Sequence, residues 1–388
     1  MHIFLRRKVT TMKIGILGFG SMGRTHAFAI RSLPFFCREL PFEAELGGIF
    51  TRTPETREKA AREFGFAKAY ASEDELICDP EIDVVDIATP NIAHFETIKK
   101  AAAAGKHIYC EKPLCVTAAE ADEAARLVRE AGVTAQIVFN TRFLSPIMRA
   151  KQLIDEGRLG RIVSFRCAYL HASCTDLNKP AGWKQDKTVC GGGVLFDLGS
   201  HALDLVYYLC GRYSRVWGMS QIAHPVRLGM NGEEWQTNAD EAFYMMAELE
   251  CGARGTIEAS KLAVGANDDF TLEIYGERGS IRFDLMEPNW LWFYDNDDKS
   301  GDLGGERGFK KLECCGRYPA PAGIFPGVKA PIGWLRGHIG SMQAFLTSVA
   351  GGSPACPGFE DAAHIQRVME AAYLSDAKGV SIAVDDVR

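Results

Sequence analysis

No stretch of this chain offers the roughly 20 uninterrupted apolar residues that a membrane-crossing helix needs. The most apolar run, 194–210, is broken by Asp197, His201 and Asp204. A membrane partner is therefore not expected. The first residues read in the wrong order for a secretory leader, because Arg6, Arg7 and Lys8 follow the apolar residues instead of preceding them. Basic charge is not in excess either. With 44 Lys and Arg against 50 Asp and Glu, and a net charge of -6, the chain lacks the concentrated cation of a nucleic-acid or anionic-membrane surface. Its 12 cysteines fall in no zinc-binding or disulfide-framework spacing, so buried thiols in a reducing cytoplasm are expected, with no metal site. Low-complexity segments and internal repeats are also missing. What remains is a folded chain of 388 residues, long enough for two or three domains and suited to small-molecule chemistry.

Short β-rich apolar runs alternate with helical patterns up to residue 140, as a parallel sheet covered by helices requires. Strands are expected at 13–17, 46–50, 84–88, 107–110 and 136–139, with helices at 22–33, 54–64, 93–104 and 118–131. This gives an α/β fold: an extension at 1–11, a doubly wound parallel sheet at 12–140, and a second domain at 141–388. In that second part a helix, a strand near 162–169 and a glycine-punctuated helix precede four or five long alternating segments between 215 and 294, the signature of an antiparallel or mixed sheet. The glycine- and proline-rich stretch 301–333 reads as cover for a site or an interface. Helices at 335–349 and 360–377 finish the chain.

The sharpest local signal is Lys13-Ile14-Gly15-Ile16-Leu17-Gly18-Phe19-Gly20-Ser21-Met22-Gly23, where a strand enters G-x-G-x-x-G and a helix leaves it. Glycines at these positions allow a tight turn, let the backbone approach a pyrophosphate and let helix pack on strand, while the helix N-terminus offers free N–H groups. Gly18, Phe19, Gly20, Ser21, Met22 and Gly23 are thus expected to seat a nicotinamide dinucleotide. The second strand ends in Phe50-Thr51-Arg52-Thr53, with no acid for the adenosine ribose hydroxyls. Arg52 suits the 2′-phosphate of NADP and equally a flat contact with adenine. Ala88, Thr89, Pro90, Asn91 and then His94 place small and polar groups at the carboxyl edge of the sheet, where ligands of open α/β folds bind. His94 reads equally well as a helix-face residue.

The strand at 107–110 delivers Glu111-Lys112-Pro113 to the same edge. A lysine fixed there can donate to a substrate oxygen and stabilise charge developing on it. Farther on, Gly191-Gly192-Gly193 leads into a segment in which Asp197, His201 and Asp204 stand at i, i+4 and i+7. If helical, they form one polar stripe on an apolar helix. Histidine takes protons near neutrality, and a neighbouring carboxylate can orient it. The triple glycine is expected to let the backbone come close to the nicotinamide.

Together, Gly18 to Gly23, Glu111-Lys112-Pro113 and the run from Gly191 through Asp197 to His201 resemble the glucose-fructose oxidoreductase / inositol dehydrogenase / rhizopine catabolism (Gfo/Idh/MocA) family, over essentially the whole chain from Met12. The helix start at 20–26, the loop at 34–43 and Phe139-Asn140-Thr141-Arg142-Phe143 are most similar to its levoglucosan-type sugar dehydrogenases. The resemblance implies an N-terminal Rossmann domain and a C-terminal α/β domain with an open mixed, largely antiparallel sheet that joins a homo-oligomer, dimer or tetramer. It implies catalysis by Lys112, Asp197 and His201 on a sugar, cyclitol or glycoside in the cleft between the domains. Cofactor contacts then also include Thr51, Glu111, Lys112, Asn140, Trp183 and Lys184, and substrate contacts are Lys112, Asn140, Tyr169, Asp197 and His201. Similar members carry an arginine at the second-strand end and use NAD, which favours NAD here, while Thr53, standing where they have Asp, keeps NADP open. Lys184 stands where arginine is frequent. On this reading His201 removes a hydroxyl proton, Asp197 orients His201 and Lys112 stabilises the alkoxide. Two other readings fit the same fold: a redox glycosidase that oxidises transiently at C3 and eliminates an aglycone, and a non-catalytic sensor, which has no need of a base beside a lysine. His171, Asp176, Trp334 and His338 are further candidates for the cleft wall.

Overall fold

The computed structural model describes residues 10–229, 231–319, 331 and 333–387. Most of the expected extension at 1–11, and residues 320–330 and 332 of the expected excursion, lie outside the described residues.

The first sheet is wholly parallel, with strands β1 (Thr10–Leu17), β2 (Phe42–Phe50), β3 (Lys68–Ala69), β4 (Val84–Ile87), β5 (His107–Cys110) and β6 (Ala135–Ile137) in the order β3-β2-β1-β4-β5-β6. Helices α1 (Ser21–Phe36), α2 (Pro54–Phe64), α3 (Glu73–Cys78), α4 (His94–Ala103) and α5 (Ala118–Ala131) connect the strands. Ile14, Ile16 and Leu17 have no exposed surface, because both faces of the sheet are covered; hence β1 reads as a continuous apolar run. The strand order reverses between β1 and β4, which opens a crevice above their carboxyl ends. Two elements went unread in the sequence. β3 has two residues and α3 six, too short for a periodic signal, although Ser72 caps α3 by accepting the Glu75 N–H at 3.1 Å. β1 also starts earlier than expected, because Thr10 and Thr11 pair with Phe42 and Glu43.

After α6 (Ser145–Asp155), β7 (Ile162–Leu170), α7 (Lys187–Cys190) and α8 (Ser200–Cys210) come β8 (Tyr213–Gln221), the hairpin β9 (Val226–Leu228) and β10 (Glu234–Gln236), β11 (Ala242–Leu249), β12 (Arg254–Ser260), β13 (Asp269–Gly276), β14 (Gly279–Asp284), β15 (Trp290–Asp295) and β16 (Lys310–Glu313). The chain ends with α9 (Leu335–Gly351), α10 (Phe359–Lys378) and β17 (Ile382–Ala383). Among the described residues, nine of these strands form the second sheet, ordered β16-β15-β14-β13-β7-β12-β11-β8-β17, in which only β7 and β12 pair in parallel. Its alternation is plain in β13, where Phe270, Leu272 and Ile274 are fully buried and their neighbours are not. The stretch Lys187–Cys210 holds a window long and apolar enough by composition to cross a membrane, and 78% of that window is buried inside the protein. Helix α9 returns to the first sheet: Ile339, Met342, Phe345 and Leu346 join the core around Ile14 and Ile16, and Ser341 Oγ accepts from the Tyr109 hydroxyl at 2.8 Å. That return carries the start of α9 to the rim of the crevice.

Candidate active site

A cavity of about 680 Å³ lies over the carboxyl edge of the first sheet, between it and the second. Gly18, Phe19, Gly20, Ser21, Met22, Thr51, Arg52, Ala88, Thr89, Pro90 and Asn91 line one end. Glu111, Lys112, Asn140, Tyr169, Trp183, Lys184, Asp197, His201, Trp334 and His338 line the other. The size is ordinary for a small-molecule site.

At the glycine turn, Gly18 has φ +90°, and a Cβ there would lie 2.5 Å from Ala88 O. A Cβ on Gly23 would lie 2.3 Å from Gly18 O, so helix and turn touch only because both residues are glycine. Gly20 differs. Its backbone is ordinary (φ −73°, ψ −155°), it is the N-cap of α1, and a Cβ on it would meet nothing within 4 Å. The protein does not need that glycine for itself, which is what a seat for an approaching pyrophosphate requires. Nearby, the Thr89 hydroxyl is buried without a partner, and Asn91 Nδ2 donates to Cys190 O at 2.8 Å, tying the end of β4 to the triple glycine. Glu73, which the sequence reading missed, also reaches this end; no spacing marks it, since it opens the unforeseen α3. These residues fit a nicotinamide dinucleotide.

At the other end the chemistry gathers on Asp197. Lys112 Nζ donates to the Asp197 main-chain oxygen at 2.6 Å and to Oδ1 at 3.2 Å. Lys184 Nζ lies 2.8 and 2.9 Å from Oδ1 and Oδ2, and Lys261 Nζ lies 2.9 Å from Oδ2. Burial alone would raise the Asp197 pKa, but Lys261, Lys112 and Lys184 together hold it well below the usual carboxylate range. Asp197 therefore does not orient His201, as the i, i+4 spacing suggested. Residues Leu195–Gly199 form a π turn ahead of α8, and there the carboxylate is taken up by three lysines while His201 Nδ1 is left without a partner. Lys261, just past the end of β12, was invisible in the sequence because only the tertiary fold brings it here.

His201 keeps its place by packing, its ring edge-on to Phe139 and Tyr169 with centroids 6.0 Å away in each case. Its Nδ1 is buried without a partner, leaving Nε2 as the nitrogen the cavity reaches. Burial, reinforced by Lys112, pushes its pKa down to about 3, so the imidazole is neutral. His338 is 2% exposed, has no partner on either ring nitrogen, and stacks edge-on against Trp334 at 4.3 Å. Burial and the charge on His26 push it down to about 3 as well. Beneath the floor, His26 bridges Asp86 (2.9 Å) and Glu111 (3.1 Å); burial opposes its charge, yet the two carboxylates lift it to about 10. Glu111 Oε2 in turn accepts the Lys112 N–H at 3.1 Å. The floor of the site is thus a buried ion triad that fixes the main chain of Lys112.

Several expected contacts lie elsewhere. His94 is fully buried off the cavity wall, its ring nitrogens 3.0 Å from Pro113 O and Thr89 O, so it braces two loops and faces no ligand. Asp204 is paired with Arg142 (2.9 and 3.1 Å) inside the core. Asp176 is exposed and caps its own turn through the Asn178 N–H. His171 pairs with Asp268 at 2.8 Å away from the wall, and the Tyr169 hydroxyl donates to the same carboxylate at 2.7 Å, so Tyr169 presents its ring. Gly23 lies behind the seat. A Cβ on Gly193 would come within 2.2 Å of the Asp240 backbone, so this glycine admits the protein's own chain, although Gly192 and Gly193 also line the cavity.

Residues 12–139 match the family model described as oxidoreductase family, NAD-binding Rossmann fold, and residues 147–282 match the GFO/IDH/MocA C-terminal domain. Levoglucosan dehydrogenase of Pseudarthrobacter phenanthrenivorans is 32% identical over 385 residues, covering 95% of this chain and 96% of that protein. Glucose-6-phosphate 3-dehydrogenase of Bacillus subtilis is 26% identical over 97% of this chain and 99% of its own length. Among solved structures, levoglucosan dehydrogenase in complex with NADH and levoglucosan superposes with a TM-score of 0.92 at 32% identity, covering 97% of this chain and 100% of that one.

Proposed function

The chain belongs to the GFO/IDH/MocA family of NAD-binding oxidoreductases, and from that premise we propose that it is a dehydrogenase that oxidises a secondary alcohol of a cyclic sugar or cyclitol, with NAD preferred over NADP. The observation that supports this reading is the meeting of Lys112 and a neutral His201 on one cavity wall, beside a glycine seat whose middle glycine serves no internal packing.

A nicotinamide dinucleotide bound along the Gly18–Met22 turn and the 88–91 edge supplies the hydride acceptor. The remaining work falls to side chains. His201 Nε2 takes the hydroxyl proton; a low pKa makes it a weak base, so the alkoxide needs separate stabilisation. Lys112 provides it. An ammonium has three donors, two of which are spent on Asp197, and the third is free for the substrate oxygen. Asp197 thus serves as the anchor of Lys112 on this reading. Tyr169 and Trp334 offer rings against which a pyranose can lie.

The protein forms a homo-oligomer through the outer face of the second sheet, where Trp217 is paired with Met246 and Met219 with Tyr244, and all four are 40% to 60% exposed. We place it in the cytoplasm.

The test is a panel of levoglucosan, free sugars, inositols and glycosides with NAD and NADP, following nicotinamide absorbance and product. Lys112→Met and His201→Ala are each expected to lower kcat by about 100-fold or more while NADH binding stays within a few fold. Full activity in either variant removes that residue from the mechanism. Aglycone release without accumulation of NADH replaces the dehydrogenase with an eliminating glycosidase.

A further inference from the structure

We propose that Lys261 is a positioning residue: it holds Asp197 in the orientation that keeps Lys112 aimed into the cavity. The inference rests on the catalytic reading of Lys112 given above. Asp197 has two carboxylate oxygens with about four acceptor positions, and four contacts reach them: Lys112 on Oδ1, Lys184 on both, Lys261 on Oδ2. The lysines are not equivalent. Lys184 stands on an exposed excursion, its side chain 45% accessible, whereas the Lys261 side chain is 7% accessible. The backbone of Lys261 is pinned on both sides, its N–H donating to Glu241 O at 2.8 Å and its carbonyl accepting from Cys174 N at 2.9 Å.

Lys261 does not line the cavity, so it touches neither substrate nor cofactor and can act only through Asp197. A carboxylate tied to Lys184 alone would be free to turn toward the rim. Tied also to Lys261, it presents Oδ1 to Lys112, whose other bond goes to the Asp197 main-chain oxygen. The same arrangement joins the first sheet, which carries Lys112, to the second, which carries Lys261. Three ammoniums around one carboxylate also repel one another. The Lys184 stem is accessible at the rim, but its ammonium sits against both Asp197 oxygens; burial there, deepened by Lys112 and Lys261 and only partly offset by Asp197, holds Lys184 below the ordinary lysine range. Burial opposes the charge on Lys261, but Asp197 outweighs it and keeps that ammonium protonated.

The experiment compares Lys261→Met, which keeps the apolar stem, with Lys261→Arg, which keeps the charge. Nitrogen-15 NMR of lysine-labelled protein follows the titration of Lys184, assigned by Lys184→Gln. Steady-state kinetics use levoglucosan and NAD. In Lys261→Met the Lys184 titration should move up toward the ordinary lysine range. kcat should fall about 10- to 100-fold, the scale of a small misplacement of a catalytic group, with KM and NADH affinity within a few fold. Lys261→Arg should leave Lys184 depressed and recover much of kcat. An unmoved Lys184 in the methionine variant, or an arginine variant indistinguishable from it, overturns the proposal. Absence of levoglucosan turnover by the unaltered protein counts against the substrate reading alone, because the NMR comparison needs no substrate.

Discussion

The seat for the dinucleotide can be tested without knowing the substrate, by placing one methyl group at residue 20. Gly20→Ala puts a Cβ where no protein atom lies within 4 Å, on a backbone whose φ of −73° any residue adopts. Its cost to the fold is therefore small. Alanine is a poorer N-cap than glycine, by about 0.5 kcal/mol or more, and loses less entropy on folding, by a similar amount. A change of at most about 1 kcal/mol remains. The ligand meets a different situation. A methyl carbon standing over the turn keeps a phosphate oxygen from hydrogen-bonding distance of the α1 N–H groups. Losing one charge-assisted bond, at about 1.5 to 3 kcal/mol, weakens NADH binding roughly 10- to 150-fold, and losing a second weakens it further. The internal control is Gly23→Ala, whose Cβ would lie 2.3 Å from Gly18 O and which should cost stability first. NADH fluorescence titration and urea unfolding of both variants separate the effects. A Gly20→Ala protein that binds NADH within about threefold of the original would refute the assignment of this turn.

Three further outcomes follow from the cavity and its surroundings. His338→Phe keeps the ring against Trp334 and removes two unpartnered nitrogens. Both nitrogens lie below the accessible surface, so KM and kcat for levoglucosan should stay within a few fold while the melting temperature rises, because an unpaired buried polar group costs about 1 to 3 kcal/mol; a melting temperature that falls shows that those nitrogens are satisfied. Stability should fall as pH drops from about 6.5 toward 4. His201, His338 and His364 are each held down to about 3 by burial, so the unfolded chain binds protons in that window that the folded chain refuses. Asp204, pushed up to about 6 by burial, offsets one of the three. Burial also holds His94 and His107 down and pushes Asp86 and Asp240 up; the depressed histidines still outnumber the raised aspartates, so the sign stands, and urea midpoints that stay flat between pH 6.5 and 5 would contradict it. Trp217→Glu with Met246→Glu should convert an oligomer into monomers by light scattering while leaving NADH binding intact.

The first half of the fold was legible because a parallel sheet announces itself locally: continuous apolar strands, helices with their own caps, and a glycine turn whose three positions have separate geometric duties. Gly132, closing α5 in the left-handed region, and Pro54, opening α2, were readable for the same reason. What escaped notice was either too short for a period, as with β3 and α3, or brought to the site only by the folded chain. Lys261 is the second kind. Nothing in its neighbourhood distinguishes it from any lysine after a strand, and its meaning appears only when β12 pairs in parallel with β7 and delivers it to Asp197.

The misreading of Asp197 is instructive in the same way. Spacing of i and i+4 places two side chains on one face but does not make them partners; here the backbone between them is a π turn braced by Asp240, and the Asp197 carboxylate pairs with lysines. The Asp240 carboxylate accepts from the Gly193 N–H at 3.0 Å and the Leu195 N–H at 3.2 Å, and its main-chain oxygen takes the Val194 N–H at 2.8 Å. Gly193 is glycine because Asp240 sits against it. The consequence is a division of labour. The imidazole is left neutral, held by Phe139 and Tyr169, while the neighbouring carboxylate is given to the lysines. A base so weakened works only if the alkoxide is stabilised as the proton leaves, which ties the activity of His201 to the geometry of Lys112. Combining Lys112→Met with His201→Ala should therefore cost little more in kcat than either change alone, and losses that simply multiply would show that the two groups act independently.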